Sequence, residues 1–169
     1  MSAENITADF VRSILDFDPH SGRLTWRENR GGIAAGSDAG TTHIKGYRVI
    51  SVNKRLYKAH RLAWLHHYGE WPSRDIDHVN GNNADNRIAN LRLATSKENQ
   101  QNRRRANKNS QSGLLGASYD ESRGLWQARI KVDGRQLYIG RFATAEEAHA
   151  AYLKAKAELH PFQTIAEAA

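Results

Sequence analysis

In IDHVNGNNADNRIANLRLATSKENQQN, residues 76–102, two short apolar runs bracket a polar centre crowded with turn-forming residues. RDIDHV at 74–79 alternates as a strand does. NGNNADNR at 80–87 is a loop, because Asn, Asp and Gly favour turns and tolerate left-handed backbone. IANLRLA at 88–94 reads as a returning strand. Thr95 and Glu98 then form a T-x-x-E capping box, which predicts a helix opening at Ser96. The stretch is therefore a strand–loop–strand–helix unit.

Its side chains suit the hydrolysis of a phosphodiester. That reaction needs a base to activate water, a cation to offset charge on the phosphate and the leaving oxygen, and a fold that holds both. Asp77 and His78 are adjacent. A carboxylate is a hard metal ligand, and a neutral imidazole is a base near pH 7. Asn90 follows on the returning strand, where its amide oxygen can accept the ring N–H of His78 and select the tautomer. Asn99 sits one turn into the helix and offers a second hard oxygen, at a helix N-terminus that favours anions. Asn102 is one turn further along the same face. Asn80, Asn82, Asn83 and Asn86 read as loop-formers. One tension remains, since neighbours on an ideal strand point to opposite faces. Asp77 and His78 can share a centre only where the chain bends or the phosphate lies between them.

Upstream, TADFVRSIL at 7–15 reads as a short helix capped by Thr7. DFDPHSG is a turn, RLTW at 23–26 a strand, and the glycine-bearing stretch 29–46 a loop with a short hairpin. YRVISV at 47–52 and LYKAH at 56–60 read as strands around the turn NKR. RLAWLHHY at 61–68 looks helical, with Pro72 as its breaker and His60 at its opening as a packed histidine. His66 and His67 find no ligand pair that would complete a zinc site.

Downstream, RRRANKNSQSG at 103–113 is a basic, polar tail and linker. LGASYD, LWQARIKV and QLYIGRF are three strands, the last two joined by the hairpin signal Asp133–Gly134. Thr144 and Glu147 repeat the capping box, and Ala148, Tyr152, Ala155 and Leu159 follow at helical spacing. Alternation puts Trp126, Ala128 and Ile130 on one face of the middle strand and Gln127, Arg129 and Lys131 on the other. Ile130 and Val132 point to the Trp126 face as the one that packs the helix, which leaves Arg129 and Lys131 outward.

Composition narrows the partners. The 169 residues carry a net charge of +7 with no cysteine. Disulfides, thiolate zinc sites and cysteine nucleophiles are excluded, and any metal must be held by nitrogen or oxygen. A basic chain favours polyanions, DNA or RNA first. Residues 71–102 hold four basic and four acidic side chains, so the excess lies in the two flanks. No apolar run approaches the ~18 residues of a membrane helix, and no signal peptide is visible, so a cytoplasmic protein is expected.

The 76–102 stretch resembles the HNH endonucleases with a ββα-metal core, in the branch common in bacteriophages and group I introns. The resemblance rests on Asp77–His78, Asn90 and Asn99, with AHRLAW at 59–64 and GEWP at 69–72 ahead of them. It implies that His78 is the general base and that Asn90 orients it. It also implies that Asp77 and Asn99 hold one divalent metal, Mg²⁺ or Mn²⁺, with Asn102 and His60 in support. Asn99 stands where many relatives carry histidine, which makes a tight zinc site less expected. Residues 113–160 resemble the apetala (ethylene-response-factor) DNA-binding domain, whose sheet enters the major groove. That resemblance offers Arg123, Trp126, Arg129, Lys131, Arg135, Tyr138 and Arg141 as contacts, with Trp126 also a core candidate. Arg103, Arg104, Arg105 and Lys108 would follow the DNA backbone.

The expected protein is thus α+β. An N-terminal β-rich region (1–58) precedes the nuclease core (59–105), a basic linker (106–112), an apetala-type domain (113–160) and a tail (161–169). The expected activity is metal-dependent cleavage of double-stranded DNA, nicking or homing-type, by a monomer, with dimerisation left open. The alternative is a non-catalytic DNA-binding regulator. An RNA-binding role ranks third, because no stacked-aromatic motif supports it.

Overall fold

The computed structural model describes residues 6–162; the first five residues and most of the expected 161–169 tail lie outside the described part. The chain forms two compact units, residues 1–96 and 97–169. Both mix helices with small antiparallel sheets, as the α+β reading expects.

The first unit opens with α1 (Ala8–Ile14), where Thr7 Oγ1 accepts from the Phe10 N–H at 3.2 Å as the expected cap. β1 (Leu15–Asp18) and β2 (Arg23–Trp26) follow as a hairpin. β3 (Thr41–Thr42), β4 (Arg48–Val52) and β5 (Arg55–Lys58) make a three-stranded sheet. Asn53 and Lys54 turn the β4–β5 hairpin with φ of 50° and 63°, the left-handed pair that a two-residue hairpin loop requires. α2 runs from Ala59 to Tyr68, so Ala59 and His60 are helical rather than the end of a strand. Ala59, Leu62, Ala63 and Leu65 line its buried face, and that burial draws the first turn into the helix. The helix stops at left-handed Gly69, three residues before Pro72.

β6 (Asp75–His78) pairs with β7 (Leu91–Ala94), in the register Asp77↔Arg92 and His78↔Leu91. The returning strand is shorter than the sequence suggests. Ile88–Asn90 forms a 3₁₀ turn, and the ladder begins only at Leu91. The core of this unit gathers Val11, Leu15, Leu24, Ile50, Val52, Leu62 and Leu65, with Leu91 at its edge.

In the second unit, α3 (Ser96–Gln101) begins where the capping box predicted. β8 (Ala117–Asp120), β9 (Leu125–Val132) and β10 (Arg135–Phe142) form an antiparallel sheet in the order β10-β9-β8. Asp133 and Gly134 turn its hairpin. α4 (Ala145–Leu159) carries the full Thr144–Glu147 capping box. Ala128 and Ile130 are buried among Ala148 and Tyr152, so the Trp126 face does pack the helix, and Trp126 lies at the edge of that core. The helix stripe differs at its end. Lys156 is buried and Leu159 is not, because Lys156 Nζ donates to the Arg103 carbonyl at 2.5 Å while its stem covers apolar surface.

Candidate active site

His78 is the last residue of β6 and is 3% exposed. The chain turns at once, with the Gly81 N–H donating to the His78 carbonyl at 2.8 Å. The loop that follows is held almost wholly by its own polar side chains. Asn80 Oδ1 accepts from Asn82 N–H, Asn82 Oδ1 from Ala84 N–H, and the Asp85 carboxylate from Asn80 Nδ2 and from Arg87. The asparagines predicted to form the loop do so here.

Asn90 closes that loop. Its Oδ1 accepts from the Asn80 N–H at 2.9 Å, its Nδ2 donates to the Asp85 carbonyl at 2.8 Å, and its own carbonyl accepts from Val79 N–H. The amide is therefore committed to the loop, and the contact expected of it is made by Asn86. Asn86 Oδ1 lies 3.3 Å from His78 Nε2, and both residues are buried. An amide oxygen accepts, so this contact favours the tautomer with its proton on Nε2. Asn90 acts one step back, by holding the loop that delivers Asn86. Asn90→Ala is expected to lower the stability of this unit by about 1 kcal/mol, since it removes the partners of the part-buried Asn80 N–H and Asp85 carbonyl. Denaturant titration measures this, and an unchanged midpoint would count against the bracing role.

The β1–β2 turn supports the same loop from outside. Ile88 N–H donates to the Pro19 carbonyl at 3.1 Å. Gly22, at φ +73°, lies so close that a Cβ there would meet Arg87 N at 2.3 Å and Asn86 C at 2.5 Å. A side chain at position 22 would force the turn and the loop backbone at Asn86–Arg87 apart.

Asp77 is also buried. Its cross-strand partner Arg92 donates through Nε and Nη2 to the same oxygen, Oδ2, both at 2.9 Å. Tyr47, just before β4, packs beside the imidazole. Its ring centroid is 6.1 Å from that of His78. Burial raises its phenol above the ordinary range, and the charge of Asp77, then of Asp75, raises it further. Asp77 and His78 remain consecutive residues in a regular ladder, paired with Arg92 and Leu91.

His60 completes the aromatic wall. Its ring stands edge-on to His78 at 5.0 Å and lies 5.4 Å from Tyr47. It is 3% exposed, and its Nδ1 has no hydrogen-bond partner. Burial pushes its pKa down to about 3, helped by His78, Lys58 and Arg61. Burial also lowers the His78 imidazole, against the pull of the Asn86 hydrogen bond and the Asp77 charge. Both rings are neutral at pH 7. Lys58 Nζ lies 5.0 Å from the Tyr47 ring centroid, a cation at the rim.

Of the expected site residues, Asp77, His78, Asn90 and His60 belong to the first unit. Asn99, half-buried on α3, and Asn102, buried just past its end, belong to the second, on the helix that β7 enters through Thr95. Tyr47, Asn86, Arg92 and Lys58 were not singled out from sequence. Arg92 was recoverable from strand register. Nothing in the loop's composition separates Asn86 from the other asparagines. His66 is structural, with Nε2 3.2 Å from the Leu15 carbonyl.

Among the described residues no three His, Asp or Glu side chains cluster as a metal cage. The buried Asp77 carboxylate offers the kind of hard oxygen donor that a divalent cation takes.

In unit two, Arg129, Gln136, Tyr138 and Arg141 line a shallow concavity on the sheet face opposite α4. Arg141 pairs with Asp120 at 3.6 Å and lies over Tyr138. Arg103, Arg104, Arg105, Lys108, Arg123, Lys131 and Arg135 are exposed. No described helix is long and apolar enough to cross a membrane.

A sequence model of the HNH endonuclease family matches residues 57–101, the span from Tyr57 through α2 and the β6–β7 hairpin into α3. Protein 3.8 of Escherichia phage T7 is 37% identical over 87 residues, covering 49% of this chain and 71% of the phage protein. No solved structure matches significantly. The buried imidazole and the buried carboxylate lie within the span that the family model covers, and the phage relative is matched over more than two thirds of its length: this chain belongs to the HNH endonuclease family.

Proposed function

We propose that the chain cleaves double-stranded DNA by hydrolysing a phosphodiester with water activated by His78. The observation that carries this is the neutral, buried imidazole whose Nε2 is tied to Asn86, beside the buried Asp77 carboxylate. His78 Nδ1 takes a proton from water as the water oxygen bonds to phosphorus, and one phosphorus–oxygen ester bond breaks. Asn86 keeps the lone pair on Nδ1 through this step, and Asn90 keeps Asn86 in place. Asp77 and Asn99 would hold Mg²⁺ or Mn²⁺, which supplies positive charge to the phosphate and the leaving oxygen. Asn102 and His60 support the site. Arg92 fixes the rotamer of Asp77.

Residues 59–105 act as the nuclease core and 106–112 as a basic linker, with 1–58 bracing the catalytic loop. Residues 113–160 act as an apetala-type DNA-binding domain. What supports this last reading is the three-stranded sheet backed by one helix, with Arg129, Gln136, Tyr138 and Arg141 on the outer face. Arg103, Arg104, Arg105, Lys108, Arg123, Lys131 and Arg135 add phosphate contacts. The protein works as a monomer on DNA in the cytoplasm of a phage-infected host and nicks one strand, since each chain has one such centre.

Supercoiled plasmid tests the chemistry. Mg²⁺ or Mn²⁺ is expected to give nicked circles, EDTA to abolish them, and Asp77→Ala to slow them by about 10²-fold. Cutting that continues undiminished in EDTA would overturn the metal-assisted reading. Salt-sensitive binding with no cutting in any divalent metal would favour the regulator instead. For the sheet, Arg129→Ala with Arg141→Ala is expected to weaken duplex binding by about 10–100-fold, with a log Kd against log salt slope smaller by about two. An unchanged slope would remove the sheet from the interface.

A further inference from the structure

Ile44 is 96% exposed, the most exposed large apolar side chain among the described residues. It stands at the tip of the β3–β4 turn, in THIKGY at 42–47. Exposure of one isoleucine needs no explanation on a mobile tip. This tip is well tied. His43 N–H donates to the Tyr47 carbonyl at 2.7 Å, Gly46 N–H to the His43 carbonyl at 2.8 Å, and Lys45 N–H to His43 Nδ1 at 3.3 Å. Asn83 Nδ2, from the loop that carries Asn86, donates to the Lys45 carbonyl at 3.1 Å. The tip is thus fastened to the catalytic loop on one side and runs into Tyr47 on the other.

Turn tips favour Gly, Asn and Asp; a β-branched residue there gains nothing from the fold. Burying an isoleucine side chain is favourable, and here none of that gain is realised in the protein. His43 and Lys45 flank the apolar group and suit phosphates on either side of it. At most about 11 Å of chain separates the Ile44 and Tyr47 Cα atoms, which is about three base steps of duplex.

We propose that Ile44 is a wedge that enters the base stack of duplex DNA beside the scissile phosphate and loosens the local step. Small apolar side chains presented between basic ones unstack base steps in this way, and the bent duplex then follows the protein surface. Here the hydrogen bond from Asn83 couples the wedge to the loop that orients His78. The inference rests on the nuclease reading for its place beside the scissile bond.

The test uses the full chain and duplexes carrying 2-aminopurine at successive positions, with EDTA present so that binding is read without cutting. Wild type is expected to raise the fluorescence about threefold at one or two adjacent positions, as unstacking does. Ile44→Ala and Ile44→Ser are expected to lose that rise, and Ile44→Leu to keep it. With Mg²⁺, Ile44→Ala is expected to cut intact duplex about tenfold more slowly, but to recover to within about twofold on duplex mismatched at the same step, because the mismatch has already removed the unstacking cost. Ile44 touches no core, so each variant keeps the wild-type unfolding midpoint. Equal fluorescence for wild type and Ile44→Ala, or an equal cutting defect on intact and mismatched duplex, would overturn the wedge. If wild type brightens the probe yet cuts nothing in any divalent metal, the nuclease reading falls and the wedge stands as a binding device.

Discussion

Replacing His78 with alanine is expected to slow DNA cleavage by about 10²–10⁴-fold, the span that a positioned general base contributes. The fall is expected in kcat, because a buried imidazole proposed to activate water is not a main anchor for DNA. Binding measured in EDTA is expected to stay within about threefold of wild type. Asn86→Ala should give an intermediate loss, since Nδ1 is then the basic nitrogen only part of the time. The pH dependence follows from the same burial. The reactive form is the neutral ring, and burial holds its pKa below the ordinary value of 6.5. The rate is therefore expected to stay level from pH 8 down past 6.5 and to fall only at more acid pH. Undiminished cutting by His78→Ala, or an acid limb centred above 6.5, would sink the assignment of the base.

The second large effect concerns stability. His60 is neutral in the folded unit down to about pH 3, whereas an unfolded histidine titrates near 6.5. Above 6.5 both states are neutral and the group costs nothing. Between 6.5 and 3 the unfolded chain takes up a proton that the folded one refuses, so stability falls as pH falls. Below 3 both states are charged and the loss levels off. By pH 4 the expected loss from this one ring is about 3 kcal/mol. His60→Phe keeps an aromatic ring against His78 and Tyr47 but cannot be charged. Its stability should match wild type within about 1 kcal/mol at pH 7 and exceed it by about 3 kcal/mol at pH 4. Urea titration followed through Trp26, Trp64 and Trp71 measures this. A difference that does not grow on acidification would show that the ring is not held neutral.

The strand–loop–strand–helix order could be read from 74–102 without coordinates, because its signals are local. Alternation, turn residues and a capping box each act within a few positions. The same holds for the Asp133–Gly134 hairpin and for Thr144–Glu147. Asp77 and His78 were legible as a pair of chemical groups, and the lack of cysteine already confined any metal to nitrogen and oxygen donors.

Other features depend on contacts between distant segments. The start of α2 at Ala59 follows from burial against the core, which outweighs the strand-like look of LYKAH. Asn90 stands on a 3₁₀ turn rather than on a strand, and that displacement turns its amide into the loop and leaves His78 to Asn86. Gly22 and Pro19, some 65 residues earlier in the chain, press on that loop, and no window around residue 86 contains them. His60 and Tyr47 reach His78 from two other elements, and their packing sets the low pKa of both histidines. The residue types, and so the available chemistry, were present in the chain as written. Which asparagine meets the His78 imidazole was decided by packing, because a ring's hydrogen-bond partner is whatever group the fold brings within reach.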